Sequence, residues 1–427
     1  MKFSKLIPLA FAALMAAGGL SGCSTDGGGS GDKLIIWANP DEENVVKALV
    51  ESYNASAADE DKVSYDYIAI GEDDAGTQVA NNPTAADAPE LYLVADDQIY
   101  NLQDKGAALR ITGDYEKNIK KNITSNAVAG ATYDNKLWGF PVTNDNGFFL
   151  YYNSTMIRDS EVNTLEDLLK AAEKAGKKVL FDVGNGFYAA TFFLSPEVNG
   201  VDSLKWRENS DGDVIYDIGW KNDKSVKAFE AARALFQTYG DTIQAATNTS
   251  VVADLQSGTA CAAIFGTWVF NAISNALGNN LKATKLPTFK VESTNCQMAS
   301  FTGSKVYCVN AAKTGANADT KKIKAVKLAA YMTSKEGQLK RFEVRGTAPC
   351  DKEAQKDSSY TKNKTIAIKA LEAQNAAGAA IQSVAAESRY WNVGKAIGQA
   401  IKDGKLGGKT VKQFLTDQCK ILENPAV

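Results

Sequence analysis

The chain has 427 residues, 44 % hydrophobic and 23 % charged, with a formal net charge of −3. That length can bury two or three domain-sized cores, and the acidic balance argues against a nucleic-acid partner held by a strong basic field. It contains no histidine, which removes Ser-His-Asp and Cys-His nucleophiles, His-ligated zinc and H-E-x-x-H metalloproteases. No cofactor or metal is expected. Any catalysis would rest on carboxylates, Tyr, Lys or thiols.

Lys2 and Lys5 precede an apolar run from Leu6 to Leu20, followed by Ser21-Gly22-Cys23. A basic start, a short apolar run and small residues before a cleavage point describe a secretory signal over residues 1–22. The run falls short of the roughly 20 residues that span a bilayer. Leu20-Ser21-Gly22-Cys23 resembles a bacterial lipobox, which implies an acylated Cys23 as lipid anchor at the outer face of the cell membrane. The Gly/Ser-rich stretch 23–32 reads as a flexible tether. Cys261, Cys296, Cys308, Cys350 and Cys419 show no C-x-x-C spacing, so they read mainly as small buried hydrophobes. One disulfide stays open.

Strands alternate with helices along the body. Lys33–Ala38 is a strand, and Pro40-Asp41 opens a helix through about Asn54. Val63–Ile68 and the continuous apolar run Leu91–Ala95 are strands, the latter suited to a sheet covered on both faces. Asp97–Lys105 is a helix ended by Gly106. Thr164-x-x-Asp167 is a helix cap. Lys178–Phe181 is a strand, Asn222–Tyr239 and Val251–Gln256 are helices, and Ala260–Phe265 is a buried strand. Asn209–Asp213 reads as a hairpin turn between Trp206 and Ile215, not a calcium loop, because it lacks the ligand spacing and terminal Glu. From Thr320 the pattern is almost wholly helical: Thr320–Tyr331, Lys335–Glu343, Thr365–Asn375, Arg389–Asp403 and Thr410–Leu422. The expected architecture is α/β, two lobes finished by a helical C-terminus. Ligands of such sheets bind beyond the C-terminal strand ends, where Asp41 and Asp97 fall.

Several stretches, in order, resemble the maltose/maltodextrin-binding proteins of bacterial ABC importers, within the extracellular solute-binding family 1. They are Lys33-Leu-Ile-Ile-Trp37, Tyr133-Asp-Asn-Lys-Leu-Trp-Gly-Phe-Pro141, Leu150-Tyr-Tyr-Asn153, Thr164-Leu-Glu-Asp-Leu168, Ser257–Trp268, Leu286-Pro-Thr-Phe-Lys290 and Arg389-Tyr-Trp391. The resemblance implies a periplasmic-binding-protein-like fold. Its lobes would be 33–142 plus 303–345 and 143–302 plus 346–427. Crossing segments are expected near Val142–Gly147, Ser300–Gly303 and Arg345–Pro349, with Gly147, Gly303 and Gly346 absorbing the backbone change of closure.

A sugar offers apolar C–H faces and a fringe of hydroxyls, so its site needs aromatic rings and planar polar groups. By resemblance Trp268 and Trp391 are stacking residues, Phe187 or Tyr188 supplies a third ring, and Phe270 and Tyr390 back them. Trp37 and Trp138 read as core. Asp41, Asp97 and Asp145 fall at carboxylate positions that accept from sugar hydroxyls; helix N-capping is the competing role for Asp41 and Asp97. Glu42 stands where the family pattern has a lysine, Gln98 where it has an arginine, Val94 where it has a tryptophan, and Lys395 where it has an arginine. Glu42, Gln98 and Lys395 are still expected to bind hydroxyls.

The expected function is a non-catalytic, monomeric cell-surface lipoprotein. It captures an oligosaccharide, an α-1,4-glucan such as maltose or maltodextrin in the first instance, and delivers it to an ABC permease; membrane contact is through the anchor alone. The alternatives are a binder of a non-glucan oligosaccharide, a secreted glycoside hydrolase and a surface adhesin. A hydrolase needs two acids at a set separation, one of raised pKa, and nothing in the sequence gives Asp41, Asp97 or Asp145 that property.

Overall fold

The structure is a computed structural model that describes residues 33–211, 213–382 and 389–425. The signal run, the tether and Cys23 lie outside the described residues. Among the described residues no helix is long and apolar enough to cross a membrane.

Two five-stranded sheets organise the chain. The first runs Tyr65–Ala69, Leu34–Ala38, Leu91–Ala95, Lys305–Val309 and Phe140–Pro141 in spatial order. Its first three strands are parallel, and Lys305–Val309 is antiparallel to Leu91–Ala95. The second runs Ile243–Gln244, Lys178–Leu180, Ala260–Gly266, Phe148–Asn153 and Leu281–Thr284. It repeats the design, three parallel strands followed by the antiparallel Phe148–Asn153. In both sheets the antiparallel strand is the one that arrives from the other half of the molecule.

Leu91–Ala95, Phe148–Asn153 and Ala260–Gly266 are buried along their whole length, as helices on both faces require. Four apolar clusters result among the described residues, two of them large. One gathers Leu34, Ile36, Val46, Leu49, Leu93, Phe140, Val306 and Leu328. The other gathers Phe148, Leu150, Leu168, Phe192, Phe229, Ile264, Ile397 and Leu415. Each fully buried side chain of this size contributes about 1.5–3 kcal/mol. Local signals set the helix ends: the Thr164 side chain accepts from Asp167 N at 3.1 Å, and the Asn222 side chain accepts from Ser225 N at 2.9 Å before helix Asp223–Tyr239. The hairpin is present as Leu204–Glu208 against Val214–Ile218.

The two halves are joined by segments hydrogen-bonded to one another. Asn144 N donates to Ala348 O at 2.9 Å and Asn146 N to Gly303 O at 3.1 Å, so all three expected crossings meet. A fourth segment, absent from the sequence reading, joins them: Ala379–Ile381 pairs in parallel with Ser300–Thr302. Three residues are too few to carry a strand period. Of the three glycines expected at a hinge, only Gly346 has a positive φ, +75°. Gly147 and Gly303 serve close approach instead. A Cβ on Gly147 would lie 2.9 Å from the Phe301 carbonyl oxygen, and one on Gly303 3.0 Å from Asp96 Oδ1. The halves also touch at Tyr133, whose ring stacks on Trp206 at 5.2 Å and whose hydroxyl donates to Glu208 at 2.6 Å.

The five body cysteines are free and buried, and burial pushes the thiols of Cys261, Cys308 and Cys419 up to about 12. Trp37 is core as expected, while Trp138 packs half-buried against the same cluster.

Gly147→Ala should lower stability by about 1–3 kcal/mol, because the new methyl meets backbone that cannot yield. Urea denaturation against wild type measures it.

Candidate functional site

The second lobe presents a group of rings. Strand Ala260–Gly266 ends in the tight turn Thr267–Val269, and the Trp268 ring folds back over Gly266, where any side chain would overlap it. Trp268 Nε1 donates to Asn248 Oδ1 at 2.9 Å, which fixes the indole. Trp391 lies in the first turn of helix Arg389–Asp403. That helix rides close over Gly186, whose added Cβ would meet Trp391 O at 2.9 Å, and Tyr390 Oη donates to Gly186 O at 3.3 Å.

Phe187 stands among both indoles, 6.0 Å from Trp268 and 6.2 Å from Trp391 by ring centroids, and stacks on Phe301 at 5.5 Å. These spacings lie in the range for interacting aromatic pairs. Phe187, Trp268 and Trp391 are each half-buried. The choice between Phe187 and Tyr188 is thereby corrected: Tyr188 is 5 % exposed and turns inward onto Phe148 and Phe265. Burial, followed by the Asp182 charge, raises its phenol well above the ordinary range. Tyr390 is wholly buried and backs Trp391 at 5.1 Å, and Phe270 packs half-buried in the same lobe as Trp268. Lys395 is exposed on the Trp391 helix.

The carboxylates come from strand ends and a crossing segment. Asp145 is 5 % exposed, and its Oδ1 has no hydrogen-bond partner among the described residues. Its carbonyl accepts from Thr267 Oγ1 at 2.5 Å, and Thr267 N donates to Gly147 O at 3.2 Å. The turn carrying Trp268 is therefore fastened to the segment carrying Asp145. Asp97 is 8 % exposed and Gln98 half-buried, both in the turn Asp96–Gln98 after strand Leu91–Ala95. Gln98 leans on Gly76, where a Cβ would lie 2.9 Å from its Oε1. Val94 is wholly inside the first core. Asp41 is exposed in the turn Pro40–Glu42. Neither Asp41 nor Asp97 occupies a helix cap: the cap positions fall to Asn39, Glu42, Ala95 and Gln98, with no side-chain cap bond at any of them.

Glu42 requires a correction. It is 0 % exposed, and its Oε1 accepts from both Arg341 and Arg345. Burial pulls its pKa up, but Arg341, Arg345 and Lys305 outweigh burial and hold it below the ordinary carboxylate value. It is an internal counter-ion with no face for a hydroxyl. Nearby, Lys305 Nζ bonds Glu72 Oε1 at 2.5 Å, and Asn39 Nδ2 donates to the same oxygen at 2.7 Å. The cations of this lobe that stand beside Asp41 and Glu42 are thus spent on acids of the protein.

Asp96 was missed. Its Oδ2 accepts from Ser304 N at 2.9 Å, while Oδ1 is buried without a partner among the described residues. Burial and then the charge of Asp97 raise its pKa to about 8. Two adjacent aspartates leave a sequence reading no means to choose which one turns inward. It is an acid of raised pKa, but it faces Gly303 and Ser304 of a crossing segment. Phe301 was within reach, since it lies in a crossing segment already singled out.

Comparison with known proteins adds the lineage. Residues 48–368 match the family model of the bacterial extracellular solute-binding proteins, and the chain belongs to that family. A galactooligosaccharide-binding protein of Bacillus subtilis (strain 168) is 24 % identical over 404 residues, 93 % of this chain and 90 % of that protein. A maltodextrin-binding protein from L. casei BL23 superposes with a TM-score of 0.73 at 22 % identity, covering 92 % of this chain and 99 % of that one. A Thermus thermophilus maltotriose-binding protein does so at 0.71 and 15 %, covering 92 % and 99 %. These likenesses establish the two-lobed periplasmic-binding-protein fold.

The folded protein keeps a proton on Asp96 that the unfolded chain releases near pH 4. Stability should therefore fall as pH rises from about 4 to 8 and level off above. Asp96→Asn should flatten that slope, read by urea denaturation at pH 5, 7 and 9.

Proposed function

We propose that the protein captures a neutral oligosaccharide between its lobes, unchanged, and passes it to the permease of an ABC importer. The observation that carries this reading is the Phe187–Trp268–Trp391 ring group, fastened through Thr267 to the segment of Asp145. Rings take the C–H faces of a sugar, and carboxylates take its hydroxyls through charge-assisted bonds. In this reading Trp268, Trp391 and Phe187 stack, Asp41, Asp97 and Asp145 accept, and Gln98 and Lys395 contribute at the edge. Lobes of 33–142 plus 303–345 and 143–302 plus 346–427 hinge at the crossing segments. Sugar contacts on both lobes shift the population toward closure.

The net charge facing the gap argues for a neutral ligand. Arg345 and Lys305 are paired to Asp41, Glu42 and Glu72, so these cations are already engaged and offer little to the carboxylate of a uronate. An α-glucan of the maltodextrin type is the first candidate. A galactooligosaccharide is the second, favoured by the Bacillus subtilis relative that matches over 93 % of this chain. Residues 1–22 are proposed as a lipoprotein signal and Cys23 as the acylated anchor holding a monomer at the outer face of the membrane; its several acyl chains together would anchor where one would not.

Calorimetric titration with maltotriose, longer maltodextrins, galactooligosaccharides, xylo-oligosaccharides and oligogalacturonates tests the reading. A micromolar-range neutral ligand is expected, with oligogalacturonates at least tenfold weaker and the glycan recovered intact. Silence across the panel, or shortened products, would reject it. Trp391→Ala should cost about 1–3 kcal/mol of affinity, by the scale of aromatic stacking and burial. A core role would instead lower the melting temperature of the unliganded protein and leave affinity alone.

A further inference from the structure

Helix Lys335–Arg345 ends at Gly346, whose φ of +75° turns the chain out of the helix and into a crossing segment. Arg341 and Arg345 lie one turn apart on that helix, so both project to the same side. Both reach Glu42 Oε1. Their surroundings then diverge. Arg341 is 1 % exposed and ends in the interior, whereas Arg345, at 9 %, extends Nη2 to Asp41 Oδ2 at 2.6 Å. Asp41 itself is 57 % exposed, and its Oδ1 accepts no hydrogen bond among the described residues. On the backbone side, the Arg345 carbonyl accepts from Asn271 Nδ2 at 3.3 Å. Asn271 belongs to helix Phe270–Leu277, which follows directly on the turn of Trp268.

We propose that Arg345 is a positioning residue of the site: it aims Asp41 at the ligand and ties that aim to the second lobe through Asn271. This rests on the carbohydrate reading above and deepens it. An aspartate on an exposed turn samples several rotamers, and ordering it on ligand arrival costs side-chain entropy. A guanidinium fork shared between two neighbouring carboxylates removes that freedom in advance. An exposed ion pair would do little of this. Here one arm of the fork is anchored on a carboxylate with no exposure, so the other arm has a fixed origin. One oxygen of Asp41 is taken, and the other is left facing outward for a hydroxyl donor.

The test is a double-mutant cycle on ligand affinity, with maltotriose and a galactotetraose as probes and calorimetry as readout. Arg345→Gln should weaken the bound probe at least tenfold, and Asp41→Asn should weaken it to a similar degree. The double variant should be no more than about threefold worse than either single one, since each removes the same oriented acceptor. A purely structural Arg345 would shift the unliganded melting temperature without coupling to Asp41. Should Arg345→Gln fail to fold, Arg345→Lys carries the same cycle: it keeps a charge beside Glu42 but cannot fork to both acids, so an intermediate, Asp41-dependent loss is expected. Unchanged affinity in the Arg345 variants, or losses that multiply in the double variant, overturns the proposal while leaving the sugar reading intact. Wild type that binds neither probe nor any glycan of the panel rejects both.

Discussion

Everything at the site depends on the hydrogen bonds that bind the crossing segments to each other. Asn144 to Ala348 and Asn146 to Gly303 lock three segments of distant sequence into one short seam. The antiparallel strand of each sheet issues from that seam, so the seam sets where both sheets lie. The same stretch carries Asp145 and holds the Trp268 turn through Thr267. The turn of Trp268 and the segment of Asp145, far apart in sequence, are thereby joined through backbone carbonyls.

The polar interior of the first lobe obeys a different rule. A carboxylate with no exposure is costly unless it is matched, and Glu42 is matched twice over, by Arg341 and Arg345. Lys305 and Glu72 make a second internal pair. These pairs absorb positive charge that would otherwise face the gap. Asp96 behaves differently: burial and then the charge of Asp97 raise its pKa, although the Ser304 N–H on Oδ2 pulls it the other way. Protonation is the cheaper state there.

The ring group illustrates how backbone proximity serves a surface. Gly186 lets helix Arg389–Asp403 approach closely enough that Trp391 comes within 6.2 Å of Phe187. Gly266 lets the Trp268 ring lie down against its own strand end. Phe301, from the seam, stacks behind Phe187 and supports it. Two small residues and one buried ring therefore turn three separate aromatic side chains into a platform.

Much of this was legible in the chain itself. Buried strands such as Leu91–Ala95 and Ala260–Gly266, the Thr164 cap and the helices of the tail follow from local pattern and capping chemistry, which act over a few residues. Asp41 and Asp97 could be placed at strand-to-helix junctions from the chain alone, whereas Trp268, Trp391 and Asp145 were nominated by the family resemblance. What the tertiary structure decided is direction. It turned Phe187 outward and Tyr188 inward, sent Asp96 toward the seam beside Asp97, and enclosed Glu42 between two arginines some 300 positions away. It also added Ala379–Ile381 to the crossing. Side-chain facing at a tight turn changes with each residue, and ion-pair partners are chosen by distance in space. Neither quantity is written in a local pattern, so both waited on the packed chain.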